Sequence, residues 1–263
     1  MTDFEARRHE LEQELGEPIT VDGLSGTYKI FQRRRGHRHS TDDLLTAWYA
    51  LEHAPHVSRA LDLGAGIGGV ALLVESQLPP GASVVAIEAQ AISYRFLGEN
   101  IRANELGARV TALHGDLREL ALAERFPLVT GSPPYFDPSA GIVPADSQKA
   151  HARFELRGDI ADYARAALRH LAPGGWFAFC FPSAQLERAL AAVRGEGFAV
   201  ISRRDVVPRA GLAPLFSLFA CRRASELGAT VAAMAERVEP FVVRAADGTH
   251  TAELVAVRRR FGW

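Results

Sequence analysis

The stretch Ala60-Leu61-Asp62-Leu63-Gly64-Ala65-Gly66-Ile67-Gly68-Gly69 decides the architecture. A short apolar run passes into a glycine-rich turn, and Val70 to Leu78 continues as a helix-like stretch. Strand, glycine turn and helix in that order form a nucleotide-type βα turn: the glycines let a ligand approach the backbone, and the new helix begins with free amide hydrogens. The spacing of Gly64, Gly66 and Gly69 also satisfies the dinucleotide fingerprint, so a nicotinamide or flavin oxidoreductase stays in play on this motif alone. Asp62 argues against it, because a carboxylate two residues before the first glycine meets a pyrophosphate as like charge. A ligand with a cationic amino-acid end suits that position better.

Moving outward, Ser83-Val84-Val85-Ala86-Ile87 reads as the next strand and ends at Glu88, whose carboxylate can accept both ribose hydroxyls of an adenosine. Arg109 to Leu117 reads as a third strand reaching Asp116, an acceptor for an adenine amino group. The run Phe126-Pro127-Leu128-Val129 leads to a fourth strand end at Ser132-Pro133-Pro134-Tyr135. Ligands bind at the carboxyl edge of open α/β sheets, and this is where all four segments end. Pro133 and Pro134 have fixed φ and no amide hydrogen, so their carbonyls form a stiff acceptor wall. The NH2 of a base or of a glutamine can hydrogen-bond to a proline carbonyl and the Ser132 hydroxyl while Tyr135 stacks on its face.

The order LDLGAGIGG, acidic strand tip, GDL, SPPY resembles the class I S-adenosylmethionine-dependent methyltransferases, and within them those that methylate amino groups. Gly36-His37-Arg38-His39-Ser40-Thr41-Asp42 and the closing Asp247-Gly248-Thr249-His250-Thr251-Ala252-Glu253 are similar to segments of bacterial tRNA adenine-N6-methyltransferases that act beside the anticodon of valine tRNA. The resemblance implies S-adenosyl-L-methionine as cofactor and no metal. It implies roles as well: Asp62, Gly64 and Gly66 at the methionine end, Glu88 on the ribose, Asp116 near the adenine, and Ser132, Pro133, Pro134 and Tyr135 on the target amine. Ser132 also borders the cofactor, and Thr41 and Asp42 close its site from the amino-terminal side. Serine at 132 departs from the usual asparagine and leaves the identity of the base open, since serine also stands there in some cytosine N4-methyltransferases.

The chain has 263 residues, 48% of them hydrophobic, enough for one substantial α/β core with small additions. The expected fold is α/β and Rossmann-like: a seven-stranded, mostly parallel sheet with one antiparallel edge strand. Residues 1–55 read as an N-terminal cap, 56–223 as the S-adenosylmethionine-binding methyltransferase domain, and 224–263 as a C-terminal extension with a helical stretch ahead of Phe241. Helices are expected at Phe4 to Leu15, Ala91 to Leu106, Ile160 to Leu171 with Asp159 as N-cap, and Ala184 to Arg194. Phe198 to Val207 and Leu215 to Cys221 read as an antiparallel pair. Cys180 and Cys221 sit in apolar runs without metal-ligand spacing and read as buried free thiols. No apolar run approaches the roughly 20 residues of a membrane span and the start lacks a signal pattern, which points to the cytoplasm.

Thirty basic and 31 acidic side chains give a net charge of -1, so an RNA site must be local. The expected partner is RNA, a tRNA anticodon loop, with Arg33, Arg34, Arg35, Arg38, Lys149 and Arg153 as contacts; no reading of the oligomeric state follows. The long connection from Asp137 to Gly158, with Phe136 just ahead of it, also carries His151, Phe154 and Arg157, a mixture suited to phosphate contact and base stacking. Three alternatives remain: an N5-glutamine methyltransferase acting on a release factor, whose family carries a larger amino-terminal helical module; an NAD-dependent oxidoreductase, which leaves Ser132 to Tyr135 unexplained; and a cofactor-binding protein without turnover.

Overall fold

The computed structural model describes residues 3–26, 28–135, 146, 148–150, 154–156, 158–228 and 236–263. Phe136, His151, Arg153 and Arg157, much of the long connection, and most of the helical stretch expected after 224 lie outside the described residues. Helix α1 (Phe4–Leu15) is capped by the Asp3 carboxylate and ends on Gly16, which adopts φ +66°. Strands β1 (Ile19–Ser25) and β2 (Tyr28–Arg33) form a separate antiparallel hairpin. There follow α2 (Thr41–His53), β3 (Arg59–Leu63), α3 (Gly69–Glu75), β4 (Ser83–Glu88), α4 (Ala91–Ala103), β5 (Val110–His114), β6 (Phe126–Gly131), α5 (Ile160–His170), β7 (Leu171–Pro182), α6 (Leu186–Gly195), β8 (Phe198–Val207), β9 (Phe216–Arg223), β10 (Glu236–Val242) and α7 (Ala252–Arg260).

The main sheet has eight strands in the order β10-β8-β9-β7-β6-β3-β4-β5. This corrects the expectation of seven strands with an antiparallel edge. The antiparallel strand β9 is internal, paired with β7 on one side and β8 on the other, and β10 adds the eighth strand parallel to β8. Its pattern was hard to read because Pro240 interrupts it. The register shifts between Val238 and Phe241, and an edge strand tolerates a residue that donates no ladder hydrogen bond. Phe241 anchors β10, fully buried with its ring centroid 5.3 Å from that of Trp48.

Alternation along β7 sorts the two faces of the sheet. Ala178 and Cys180 face the core shared with α2, α3 and α4, while Phe177, Phe179 and Phe181 face the core shared with α5 and α6. On the phenylalanine face the rings stack, Phe177 on Phe179 at 5.1 Å and Phe179 on Phe219 at 4.6 Å. Small residues opposite α2 let that helix approach the sheet, and Leu44 to Leu51 are all buried. Such a helix is apolar on every side and gives a weak amphipathic signal, which is why its extent was not evident beforehand.

The strand order reverses at β3, which has β4 on one side and β6 on the other. Leu63 is in register with both Ile87 and Gly131. The glycine turn after β3, Glu88 at the tip of β4 and Ser132 after β6 therefore emerge side by side at the switch point, where open sheets hold ligands.

Candidate active site

Asp62 is 2% exposed on the central strand. Its Oδ1 accepts a hydrogen bond from the Thr130 hydroxyl at 2.8 Å, and its Oδ2 is buried with no hydrogen-bond partner among the described residues. Burial pushes its pKa up to about 7; the Thr130 hydroxyl and the Ala71 amide oppose that rise and the Glu88 charge adds to it. A buried carboxyl with an open acceptor position, poised near neutrality at the floor of a cleft, is what a cationic ligand group would complete.

The turn above it needs its glycines. Gly64 has φ +62° and Gly66 φ +59°, and a Cβ at Gly64 would stand 2.1 Å from the Tyr163 hydroxyl. The Gly66 amide donates to Glu88 Oε2 at 2.8 Å and the Gln90 amide to Glu88 Oε1 at 2.6 Å. Glu88 thus ties the glycine turn to the tip of β4. Asp116 lines the same cleft, its carboxylate gripped by Arg118 through Nε at 2.9 Å and Nη2 at 2.6 Å.

The amino-terminal side differs from the expectation in detail. Thr41 is exposed and lies in a neighbouring groove, and Asp42 is half-buried without lining the cleft; Asp43, one residue further, lines it. Ser40 and Asp43 form a capping box at the start of α2, with the Ser40 amide donating to Asp43 Oδ2 at 3.0 Å. Burial, with Asp42 and Asp62 nearby, raises the Asp43 pKa well above the carboxylate range.

Of the target-side residues, Ser132 and Pro134 line the cleft and Pro133 is buried beside them. The Tyr135 ring turns inward: its hydroxyl lies 3.4 Å from Cys180 Sγ, its ring meets Phe181 edge-on at 5.7 Å, and its carbonyl accepts from Gln185 Nε2 at 2.8 Å. Cys180 also reaches Ser132 Oγ at 3.7 Å. Burial holds the Tyr135 phenol well above its ordinary pKa and pushes the Cys180 thiol up to about 11, so both are neutral. Both cysteines are free and buried, as their apolar settings predicted.

Three residues of the site escaped the sequence reading. Tyr163 sits in the first turn of α5 behind the Asp159–Asp162 capping box and lays its ring across Gly64 and Gly131. Burial, reinforced by Glu88, Asp62 and Asp116, raises its phenol pKa. Gln148, 1% exposed, accepts from the His37 amide at 3.2 Å and donates to Ser93 Oγ at 3.2 Å. The sequence around Cys180 carries the signal of a core thiol and none of its contact with Ser132 and Tyr135. A tyrosine placed four residues after a predicted N-cap at the ligand edge was the one available signal.

The expected RNA contacts divide. Arg33 is tied to Glu17 at 2.6 Å and Asp146 at 2.9 Å, and Arg38 to Asp22 at 3.0 Å. Arg34 and Arg35 are exposed and form no ion pair among the described residues. Lys149 is half-buried, its amide donating to Asp146. Among the described residues no cluster of three metal-ligating side chains is found, and no helix is long and apolar enough to cross a membrane.

The profile of the TRM5/TYW2 methyltransferase domain matches residues 52–133. A tRNA1(Val) (adenine(37)-N6)-methyltransferase of Aeromonas hydrophila is 30% identical over 168 residues, which are 64% of this chain and 69% of that protein. A release factor glutamine methyltransferase of Geobacter sulfurreducens is 34% identical over 169 residues, 61% of this chain but 57% of that relative's length. Among solved structures, a predicted O-methyltransferase of Agrobacterium tumefaciens superposes with a TM-score of 0.65 at 20% identity, over 84% of this chain and 96% of that one, which shows the shared fold. With the glycine turn, the buried acid and the Ser-Pro-Pro-Tyr segment gathered at one switch point, the chain belongs to the family of the tRNA1(Val) (adenine(37)-N6)-methyltransferases, S-adenosylmethionine-dependent N-methyltransferases of class I.

Proposed function

We propose that the chain methylates N6 of an adenine in tRNA. The observation that carries this reading is the register Leu63 to Gly131, which puts Ser132 and its prolines beside the glycine turn. The A. hydrophila relative supports adenine in tRNA as the target.

The residues fit S-adenosylmethionine. Asp62 offers its open carboxyl oxygen to the ammonium end, the turn at Gly64 and Gly66 leaves room for close approach, Glu88 takes the ribose hydroxyls, and Asp116 lies toward the adenine. When bound, the cofactor supplies an electrophilic methyl group on a sulfonium. Ser132 and the Pro133 and Pro134 carbonyls hold the target amine, drawing its lone pair out of conjugation and aiming it across the cleft; alignment and charge placement supply the acceleration. Tyr135, clamped by Cys180, Phe181 and Gln185, fixes the end of that wall. The amine proton becomes strongly acidic only after attack, so water can take it and no buried base is required. An adenine in an RNA must be unpaired or flipped out to reach Ser132, which an anticodon loop meets at little cost.

The Geobacter relative favours a second reading, glutamine in a protein, since the same wall holds a carboxamide NH2. Transfer of radiolabelled methyl to total tRNA and to release factors from a strain lacking the gene separates the two. N6-methyladenosine in the nucleoside digest is the expected product, and label in protein glutamine alone rejects the RNA reading.

A further inference from the structure

We propose that a second groove, between the β1–β2 hairpin, the start of α2 and the C-terminal element, seats the single-stranded RNA that flanks the methylated base; this rests on the RNA reading above. The groove is lined by His39, Arg244, His250, Arg258 and Trp263 over an apolar floor, and no Asp or Glu among the described residues lines it. His39 lines both this groove and the methyl-transfer cleft, so the two are neighbours.

Its arginines differ from their neighbours. Arg204 is paired with Glu253 at 2.7 Å and Arg260 with Glu52, whereas Arg244 and Arg258 form no ion pair among the described residues. Arg244 is exposed, and its guanidinium donates to the Gly248 carbonyl at 2.8 Å. The Arg258 guanidinium lies 5.4 Å from the centre of the Trp263 ring. Trp263 is 37% exposed, one of the few large apolar side chains left open. Unpaired guanidinium groups beside an open indole, with an apolar floor, match a strand that offers phosphates and a base face together. Burial holds the His39 imidazole below its ordinary pKa, against the pull of Asp22 and Asp42.

The test uses the full chain, radiolabelled cofactor and tRNA purified from a strain lacking the gene. In the Arg244→Ala/Arg258→Ala variant, KM for tRNA is expected to rise about tenfold while the dissociation constant for S-adenosylmethionine is unchanged. The plot of log KM against log salt should become shallower by about 1.4, since each single-strand phosphate contributes ~0.7. Trp263→Ala should raise KM severalfold with an unaltered salt slope. Arg244→Glu, at an exposed position, repeats the test if the double variant fails to fold, and it should raise KM further. A native KM and salt slope in these variants overturn the groove and leave the RNA reading standing. Absence of any methyl transfer to RNA by the native protein overturns both.

Discussion

On the β3–β4 side of the cleft the acids are held from the main chain outward, Glu88 by the Gly66 and Gln90 amides and Asp62 within its strand beside Thr130. On the β6 side the wall Ser132 to Tyr135 is held by side chains from β7 and the turn after it, Cys180, Phe181 and Gln185, which lie 45 to 50 residues further along the chain. The first side is local geometry, made by one βα turn and its neighbour. The second is assembled by long-range packing. The contrast teaches that cofactor affinity and methyl transfer should fail separately when the two sides are damaged one at a time.

The largest expected effect tests the first side. Asp62→Asn should weaken S-adenosylmethionine binding about 100-fold at pH 8, or ~3 kcal/mol, as when one partner of a buried charge pair is removed. On the role proposed for Asp62 the ionised carboxylate is the binding form, and with its pKa at about 7 the affinity should be roughly tenfold tighter at pH 8 than at pH 6. The variant should lose that dependence; calorimetry across pH decides it, and a flat native profile removes Asp62 from the cofactor site. Stability runs the opposite way. An ordinary aspartate ionises near pH 4, so the penalty of burying this charge is absent below about pH 4 and complete above about pH 7. Urea melts of the cofactor-free protein should therefore show Asp62→Asn gaining on the native chain as pH rises, by at most about 4 kcal/mol.

Next comes the second side. Tyr135→Ala should lower kcat about 30-fold, ~2 kcal/mol of transition-state stabilisation, with the cofactor dissociation constant within threefold of native. Equal losses in both would erase the separation between the two sides. A smaller effect, about 1 to 2 kcal/mol in urea melts, is expected for Gly64→Ala, where the methyl meets the Tyr163 hydroxyl on a backbone with positive φ. Adding Tyr163→Phe should restore part of that loss; no recovery would mean that φ alone carries the strain.

The smallest effects compare adjacent arginines. Arg33→Ala should lower stability by about 1 kcal/mol because it frees Glu17 and Asp146, while Arg34→Ala should leave the melt unchanged and raise KM for tRNA about twofold. The reverse pattern would make Arg33 the RNA contact.

Local features were readable in advance where one segment contained them. The glycine turn, the acids at strand tips and the Asp159 cap are short-range patterns, and each stands where its segment predicted. Strand β10 and helix α2 were harder, the first because Pro240 broke its alternation, the second because burial on all sides removed its periodicity. Tyr163 and Gln148 enter the cleft from elements whose own patterns describe only a helix and a loop.

From the chain alone followed the α/β class, the nucleotide-type turn and the stiff Pro133-Pro134 segment beside it, because backbone freedom at glycine and rigidity at proline are properties of the residues themselves. Only the tertiary structure decided which acid faces the cleft, which way Tyr135 turns and which arginines remain free of internal partners. Those depend on register and burial, and a charge has no fixed role until the folded chain has either supplied its counter-ion or left it open.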